Sequence, residues 1–323
     1  MSKFLITGIS GFVGPNLANI LLANEHEVHG VIRSTHGRET DLLDTINENN
    51  LNQIKFHYLD LKDREDVRNL LAKEKYDGIF HLAAQSHPPT SFSNPILTFN
   101  ENVVASMNII THCGDSKLMF CSTSEVYGNQ CAVDGVLKET DSLKPCNPYG
   151  CSKAAIDLYL QERMDNKFVN AYITRAFSHT GIRRGKIFSI SSDAYQIVKI
   201  KKGLQAPKLE VGNLLSRRTV MDVRDCANAY YQLMLTDKSS GQVYNVGSEE
   251  IHEMGYFTET LLGIAKIDAK VDLVVSPKLY RPIDINVQKP DISKLKTDID
   301  WKQQYTLQET LQSLYDYWYK KIN

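Results

Sequence analysis

Three evenly spaced glycines, Gly8-Ile-Ser-Gly11-Phe-Val-Gly14, sit between a short apolar run, Phe4-Leu-Ile-Thr7, and the start of a helical pattern. Glycine at these points permits a tight strand-to-helix turn and lets backbone N–H groups approach a pyrophosphate at the helix N-terminus. The spacing is G-x-x-G-x-x-G rather than G-x-G-x-x-G, and a glycine turn without any ligand satisfies the same local geometry. Either way, a chain that begins strand, turn, helix is committed to βαβ units.

The chain keeps that rhythm. Apolar or β-branched runs at 28–32, 54–58, 78–83, 118–122 and 171–174 alternate with helical patterns, which predicts a parallel sheet. Asn94-Pro95 and Asn147-Pro148 each put a capping side chain before a proline at the first helical position, predicting helices near 95–112 and 148–164. After Phe177 come a loop rich in Gly, Arg and Ser, a helix near 190–202, and short separated strands at 209–212, 243–246 and 271–274. The expected fold is therefore α/β: a Rossmann-type doubly wound parallel sheet with a dinucleotide-binding domain over 1–175. A smaller C-terminal substrate-binding α/β lobe spans 176–323, with part of 205–250 returning to the sheet.

Composition removes whole classes of partner. Lys and Arg number 37 against 38 Asp and Glu, a net charge of −1, and 42% of residues are hydrophobic, so neither nucleic acid nor disorder is a good reading. The apolar stretch at 4–23 is broken by Gly8, Gly11, Gly14, Pro15, Asn16 and Asn19, too polar for a signal peptide or a membrane span. Six cysteines show no C-x-x-C pair and no zinc-ligand spacing. A cytoplasmic protein with free thiols and no metal site is expected.

The second strand runs into Arg33-Ser-Thr-His-Gly-Arg38, with no acidic residue to bind the adenosine ribose hydroxyls. Arg33 and Arg38 suit a 2′-phosphate instead, which favours NADP over NAD; two exposed arginines without a ligand are the plain alternative. Asp60-Leu61 closes the third strand, where a carboxylate can accept from the adenine amino group or simply shape a turn.

Tyr149-Gly-Cys-Ser-Lys153 sets a phenol and an ammonium at i and i+4 on one helix face, and the positive charge is expected to pull the phenol below its reference of about 10. Upstream, Ser122-Thr123-Ser124-Glu125 ends a strand at the edge where side chains face the crevice. Thr123 can bond a substrate hydroxyl and Glu125 can act as a general base or acid, although capping and turn roles also fit Ser124 and Glu125.

Gly8-x-x-Gly11-x-x-Gly14, Thr123-Ser124-Glu125 and Tyr149-x-x-x-Lys153 together resemble the extended short-chain dehydrogenase/reductase family. His81-Leu-Ala-Ala-Gln-Ser-His87, Ser91-Phe92 and Pro95 resemble its GDP-mannose 4,6-dehydratases, and the likeness runs over nearly the whole chain, most strongly before residue 155. Asp222-Val-Arg-Asp225 is also similar to GDP-4-keto-6-deoxymannose reductases, and the GDP-N-acetylglucosamine 4,6-dehydratases of the legionaminic acid route are close relatives of the group.

The resemblance implies that Gly8, Gly11, Phe12, Val13, Leu82, Ala83, Ala84 and Ser86 line the cofactor, and that Tyr149 and Lys153 hold the nicotinamide ribose. His179 and Arg184 approach NADP, and Arg218 and Arg281 hold the nucleotide-sugar diphosphate. Ser86, His87, Thr123, Ser178, Val211 and Asp284 then face the nucleotide sugar, which is expected to be GDP-linked. A homodimer or homotetramer built on the helices near 95–112 and 148–164 is implied too. Two segments depart from the dehydratase pattern. Ser178-His-Thr-Gly-Ile-Arg-Arg-Gly185 replaces Asn-His-Glu-Ser-Pro-Arg-Arg-Gly, and Arg218-Thr-Val220 replaces Arg-Asp-Trp.

The reaction implied is redox-neutral: oxidation of a hexose at C4, elimination of water across C5 and C6, and reduction at C6 by a retained NADP(H). A reductase or epimerase would need Tyr149 and Lys153 without a base at C5. A non-catalytic NADP-binding sensor would need neither.

Overall fold

The computed structural model describes residues 1–33, 42–131 and 135–323, so Arg38 lies outside the described residues. Six strands follow the expected alternation: β1 (Lys3–Thr7), β2 (Glu27–Ile32), β3 (Ile54–Tyr58), β4 (Gly78–His81), β5 (Lys117–Thr123) and β6 (Ala171–Ala176). The connecting helices are α1 (Gly14–Ala23), the single turn α2 (Glu48–Leu51), α3 (Arg64–Lys73), α4 (Pro88–Ser93), α5 (Pro95–Phe99), α6 (Ala105–His112) and α7 (Pro148–Asp165).

Beyond β6 lie β7 (His179–Thr180), α8 (Ser189–Lys201), β8 (Lys208–Val211), β9 (Arg217–Thr219), β10 (Met221–Asp222), α9 (Val223–Leu235) and β11 (Gln242–Val246). Then come β12 (Ile251–Glu253), α10 (Met254–Ala265), β13 (Asp272–Val275), β14 (Val287–Gln288), α11 (Ser293–Ile299) and α12 (Leu307–Lys321).

The central sheet has seven parallel strands in the order β3-β2-β1-β4-β5-β6-β11. Consecutive strands β1 to β3 run one way from the centre and β4 onward run the other, so the order reverses beside β1, where a Rossmann-like sheet opens its crevice. One face is covered by α1 and α9 over Phe4, Ile6, Leu17 and Tyr230; the other by α3, α6 and α7 over Leu5, Ile109, Phe120 and Leu160. Burial on both faces explains why the strands read as continuous apolar runs. A second core, with Ile197, Val198, Phe257, Leu261, Leu311 and Leu314, joins α8, α10 and α12. Beside it β8 pairs with β13, and β9 lies between β12 and β14. Among the described residues no helix is long and apolar enough to cross a membrane.

The two Asn-Pro helix starts differ. Asn147 caps α7, its side chain accepting from Gly150 N at 2.7 Å. Asn94 makes no such cap; its backbone (φ −136°, ψ 63°) bridges α4 and α5, and its amide turns to Ser93 Oγ instead. The helix it begins is also not regular, because Asn100–Val104 forms a wider π-helical turn between α5 and α6.

Helix α7, which bears Tyr149 and Lys153, is fastened by a buried ion pair. Arg175 on β6 gives two parallel bonds to Asp157 on α7, at 3.1 and 2.9 Å, and Ser122 Oγ donates to the same carboxylate at 2.6 Å. Arg175 also reaches the Tyr127 hydroxyl at 3.0 Å. Both partners are essentially fully buried, so removing one strands the other charge in the core. Arg175→Ala is expected to lower unfolding free energy by about 3–5 kcal/mol in guanidinium denaturation, and the double change Arg175→Met, Asp157→Leu to recover most of the loss.

Candidate active site

The carboxyl ends of β1, β4, β5 and β6 and the facing wall of the C-terminal lobe enclose a cavity of about 960 Å³. It is lined by the described site residues singled out from the sequence at the nucleotide, chemistry and lobe ends alike. Arg38 is the exception, since it lies outside the described residues.

At the nucleotide end, Gly8 has φ +72°, and Gly11 N donates to Gly8 O at 2.9 Å, closing the turn. A Cβ on Gly8 would stand 2.9 Å from the Ala83 backbone, and one on Gly14 2.5 Å from Ile9 O. Only glycine lets β1, α1 and the 82–84 segment come this close. Helix α1 starts with no side-chain cap and no acidic residue in its first turn, so its leading N–H groups and dipole are directed at the cavity mouth of the turn. A dinucleotide pyrophosphate fits that cradle.

The adenosine end is more balanced than the sequence suggests. Arg33 is ion-paired to Glu101, which also accepts from Lys62 Nζ at 2.5 Å, and Lys62 lies 3.5 Å from Asp60. Two cations and two carboxylates thus share the rim. Glu101 belongs to the π-helical turn, as does Asn102, whose side chain grips the Gln85 backbone at both N (2.7 Å) and O (3.1 Å) and so shapes the Leu82–Ser86 wall. Sequence reasoning missed both. A lone glutamate ahead of Val103-Val104-Ala105 was the one available signal.

Phe12 and Phe188 sandwich the Arg184 guanidinium, with centroid distances of 4.7 and 3.5 Å, and Phe12 stacks on His179. Burial lowers Arg184 to about 10; burial and then that guanidinium lower His179 to about 4, so His179 is neutral at physiological pH.

At the chemistry end, Tyr149 and Lys153 lie on the inner face of α7, both buried. Lys153 Nζ sits 4.1 Å over the Phe120 ring, and burial brings it down to about 8. Tyr149 corrects the sequence expectation. Burial pushes its phenol well above the ordinary value, while a hydrogen bond with Thr123 acts the other way. The side chain is buried in the cavity wall, and desolvation of the phenolate outweighs the charge-spacing argument. Cys121 also reaches this wall, its thiol 3.4 Å from the Tyr230 hydroxyl.

Thr123 caps the short turn Ser124–Tyr127, accepting from Glu125 N. Glu125 itself is gripped twice: Asn147 Nδ2 donates to Oε2 at 2.6 Å and Arg281 Nη1 to Oε1 at 3.0 Å. Asn147 therefore does two jobs, capping the helix of Tyr149 with its oxygen and fixing Glu125 with its nitrogen. Ser124 O accepts from Gln288 Nε2 at 3.2 Å, tying the turn to the lobe.

On the lobe side, Arg218 faces Asp284 at 3.5 Å, and Asp284 accepts from Asn213 at 2.8 Å. Burial lowers Arg218, yet it remains a cation at neutral pH. His87 Nδ1 shares a proton with Thr90 Oγ1 at 2.8 Å. Ser178 and Val211 complete the wall. The two arginines of the lobe each hold an intramolecular carboxylate, an arrangement open to exchange for a diphosphate.

Residues 5–314 match the family model described as GDP-mannose 4,6 dehydratase. The chain is 29% identical over 324 residues to GDP-mannose 4,6 dehydratase 2 of Arabidopsis thaliana, covering 97% of this chain and 85% of that protein. It is 28% identical over 325 residues to the GDP-6-deoxy-D-mannose reductase of Pseudomonas aeruginosa, covering 99% and 98%. In fold it is similar to the structure of RMD from Pseudomonas aeruginosa complexed with NADPH, with a TM-score of 0.83, 25% identity and full coverage of both chains.

Proposed function

The chain belongs to the GDP-mannose 4,6-dehydratase family, and on that premise we propose that it is a nucleotide-sugar 4,6-dehydratase. It acts on a GDP-hexose, GDP-mannose or GDP-N-acetylglucosamine, and yields the 4-keto-6-deoxy sugar. The observation that carries this reading is Glu125, a buried carboxylate beside the Tyr149 and Lys153 pair in one cavity. A reductase or epimerase needs the pair, whereas only the dehydratase also needs a base at C5.

Tyr149 takes the proton of the 4-hydroxyl, with Thr123 and the Lys153 ammonium stabilising its oxygen. A bound nicotinamide would accept hydride from C4 and return it to C6. The 4-ketone acidifies C5–H. Glu125 removes that proton and delivers one to the departing 6-hydroxyl, assisted by Thr123 or Ser124. Arg218 and Arg281 hold the diphosphate, with Ser86, His87, Ser178, Val211 and Asp284 about the nucleotide sugar. Residues 1–175 act mainly as the cofactor domain and 176–323 mainly as the sugar-nucleotide lobe. The exposed apolar side chains Ile96, Leu97, Phe99 and Leu158 support a homodimer or homotetramer through α5, α6 and α7. Nothing in the charge balance asks for a nucleic acid or a membrane, and a cytoplasmic setting is the natural one.

Gly8, Gly11, Phe12, Val13, Asp60, Leu61 and the 82–86 wall would hold the dinucleotide, and NADP is the preferred cofactor because Arg33 and Lys62 bring two cations to its adenosine end. Glu101 draws on both. Glu101→Gln is therefore expected to raise affinity for NADP⁺ relative to NAD⁺ by about tenfold, roughly 1.4 kcal/mol, measured by titration calorimetry with each dinucleotide. An unchanged ratio would remove Arg33 and Lys62 from the phosphate site.

The reaction is tested with purified protein, catalytic NADP⁺, and GDP-mannose, GDP-N-acetylglucosamine and UDP-N-acetylglucosamine in separate incubations. Loss of about 18 Da, one water, from a GDP sugar without stoichiometric NADPH is expected. NADPH consumption on a 4-keto-6-deoxy sugar, with no water lost from any substrate, would favour the reductase.

A further inference from the structure

Beyond the arginines of the lobe, the cavity continues between α8, β8 and the start of α10, where of the lining residues only Val211 has been given a role. Its wall there sets the apolar Ile190, Val211, Leu214 and Met254 beside the first-turn serines of α8 and Glu210 of β8, and Asp193 on α8 is the buried carboxylate among them. Asp193 is 5% exposed. Thr258 on α10 donates to its Oδ2 at 2.8 Å; no donor to Oδ1 and no ion pair to the carboxylate is present among the described residues. Burial pushes this carboxyl up to about 7. A buried carboxylate with no cation beside it destabilises a fold unless a ligand meets it.

We propose that Asp193 reads the nucleobase of the substrate, its carboxylate accepting from the N1–H and the N2 amino group of guanine. The inference rests on the cavity being a nucleotide-sugar site. Guanine alone among the common bases offers two adjacent donors on one edge, the partner geometry of a carboxylate. Uracil offers one N–H between two carbonyl oxygens. Cytosine and adenine set an acceptor beside their amino group. Each would place a lone pair against Asp193. The apolar neighbours Ile190, Val211, Leu214 and Met254 suit the faces of a purine.

The rival role for Asp193 is a tie between α8 and α10 through Thr258. Titration calorimetry with GDP, IDP and UDP separates the two, because IDP lacks only the 2-amino group. The wild-type protein is expected to bind GDP at least tenfold more tightly than IDP and about a hundredfold more tightly than UDP. Asp193→Asn, which keeps an acceptor for Thr258, should lose at least thirtyfold in GDP affinity, erase the GDP-to-IDP preference, and leave UDP within about threefold. Thr258→Val should lower thermal stability yet retain the preference. Equal weakening of all three nucleotides in Asp193→Asn, or a wild-type GDP-to-IDP ratio near one, overturns the proposal; the latter needs no variant. A wild type that prefers UDP overturns it while leaving a dehydratase of another nucleotide sugar standing. One that binds no nucleoside diphosphate overturns both readings.

Discussion

Glu125→Gln is expected to reduce water loss from the GDP-hexose by about 10³-fold while oxidation at C4 continues. The substitution removes the base but keeps the size and the acceptor for Asn147, whose Nδ2 stands 2.6 Å from Oε2. The sugar should therefore be arrested as a 4-ketone with its 6-hydroxyl intact, which borodeuteride reduction traps and mass spectrometry identifies. Affinity for the nucleoside diphosphate should rise, because Arg281, now 3.0 Å from Oε1, loses its carboxylate partner and is free for phosphate. A structural role for Glu125 predicts the reverse pattern: weaker binding, unchanged turnover and no trapped ketone.

Tyr149→Phe acts one step earlier. It is expected to lower turnover by about 10³-fold or more with no 4-ketone detectable by the same trap, and with GDP affinity within about threefold. Phenylalanine keeps the ring that packs against the wall of the cavity and deletes only the hydroxyl that bonds with Thr123. Because burial holds the phenol high and Lys153 at about 8, Tyr149 is a neutral acid at rest with a charged lysine close by. Proton removal is thus coupled to loss of hydride from C4 rather than preceding it. Retained turnover in Tyr149→Phe would leave the cavity as a binding site and return weight to the sensor reading.

The parts of this site that sequence made legible are those set by short-range geometry. The glycine turn is a matter of φ and Cβ contact over seven residues, and the Tyr149 and Lys153 pair follows from one turn of α7. The strands were visible because burial on both sheet faces leaves unbroken apolar runs. What escaped depends on long-range contact. Arg281 meets Glu125 across 156 residues, and Asp193 meets Thr258 across 65. No periodicity carries such pairings. Glu101 and Asn102 escaped because a π-helical turn shifts the helix phase, so the residues that face the cavity are not those an α-helical wheel selects. Asn94 failed as a cap because it is at once the C-cap of α4 and the lead-in to α5, which leaves its backbone outside cap geometry.

The central claim is that one cavity oxidises C4 and reduces C6 of the same sugar. Incubating the protein with GDP-hexose deuterated at C4 and a trace of NADP⁺, then locating the label by NMR, tests it most directly. The account predicts a product lighter by one water that carries the deuterium at C6. Deuterium retained at C4, or transferred stoichiometrically to NADP⁺ with no loss of water, would contradict it.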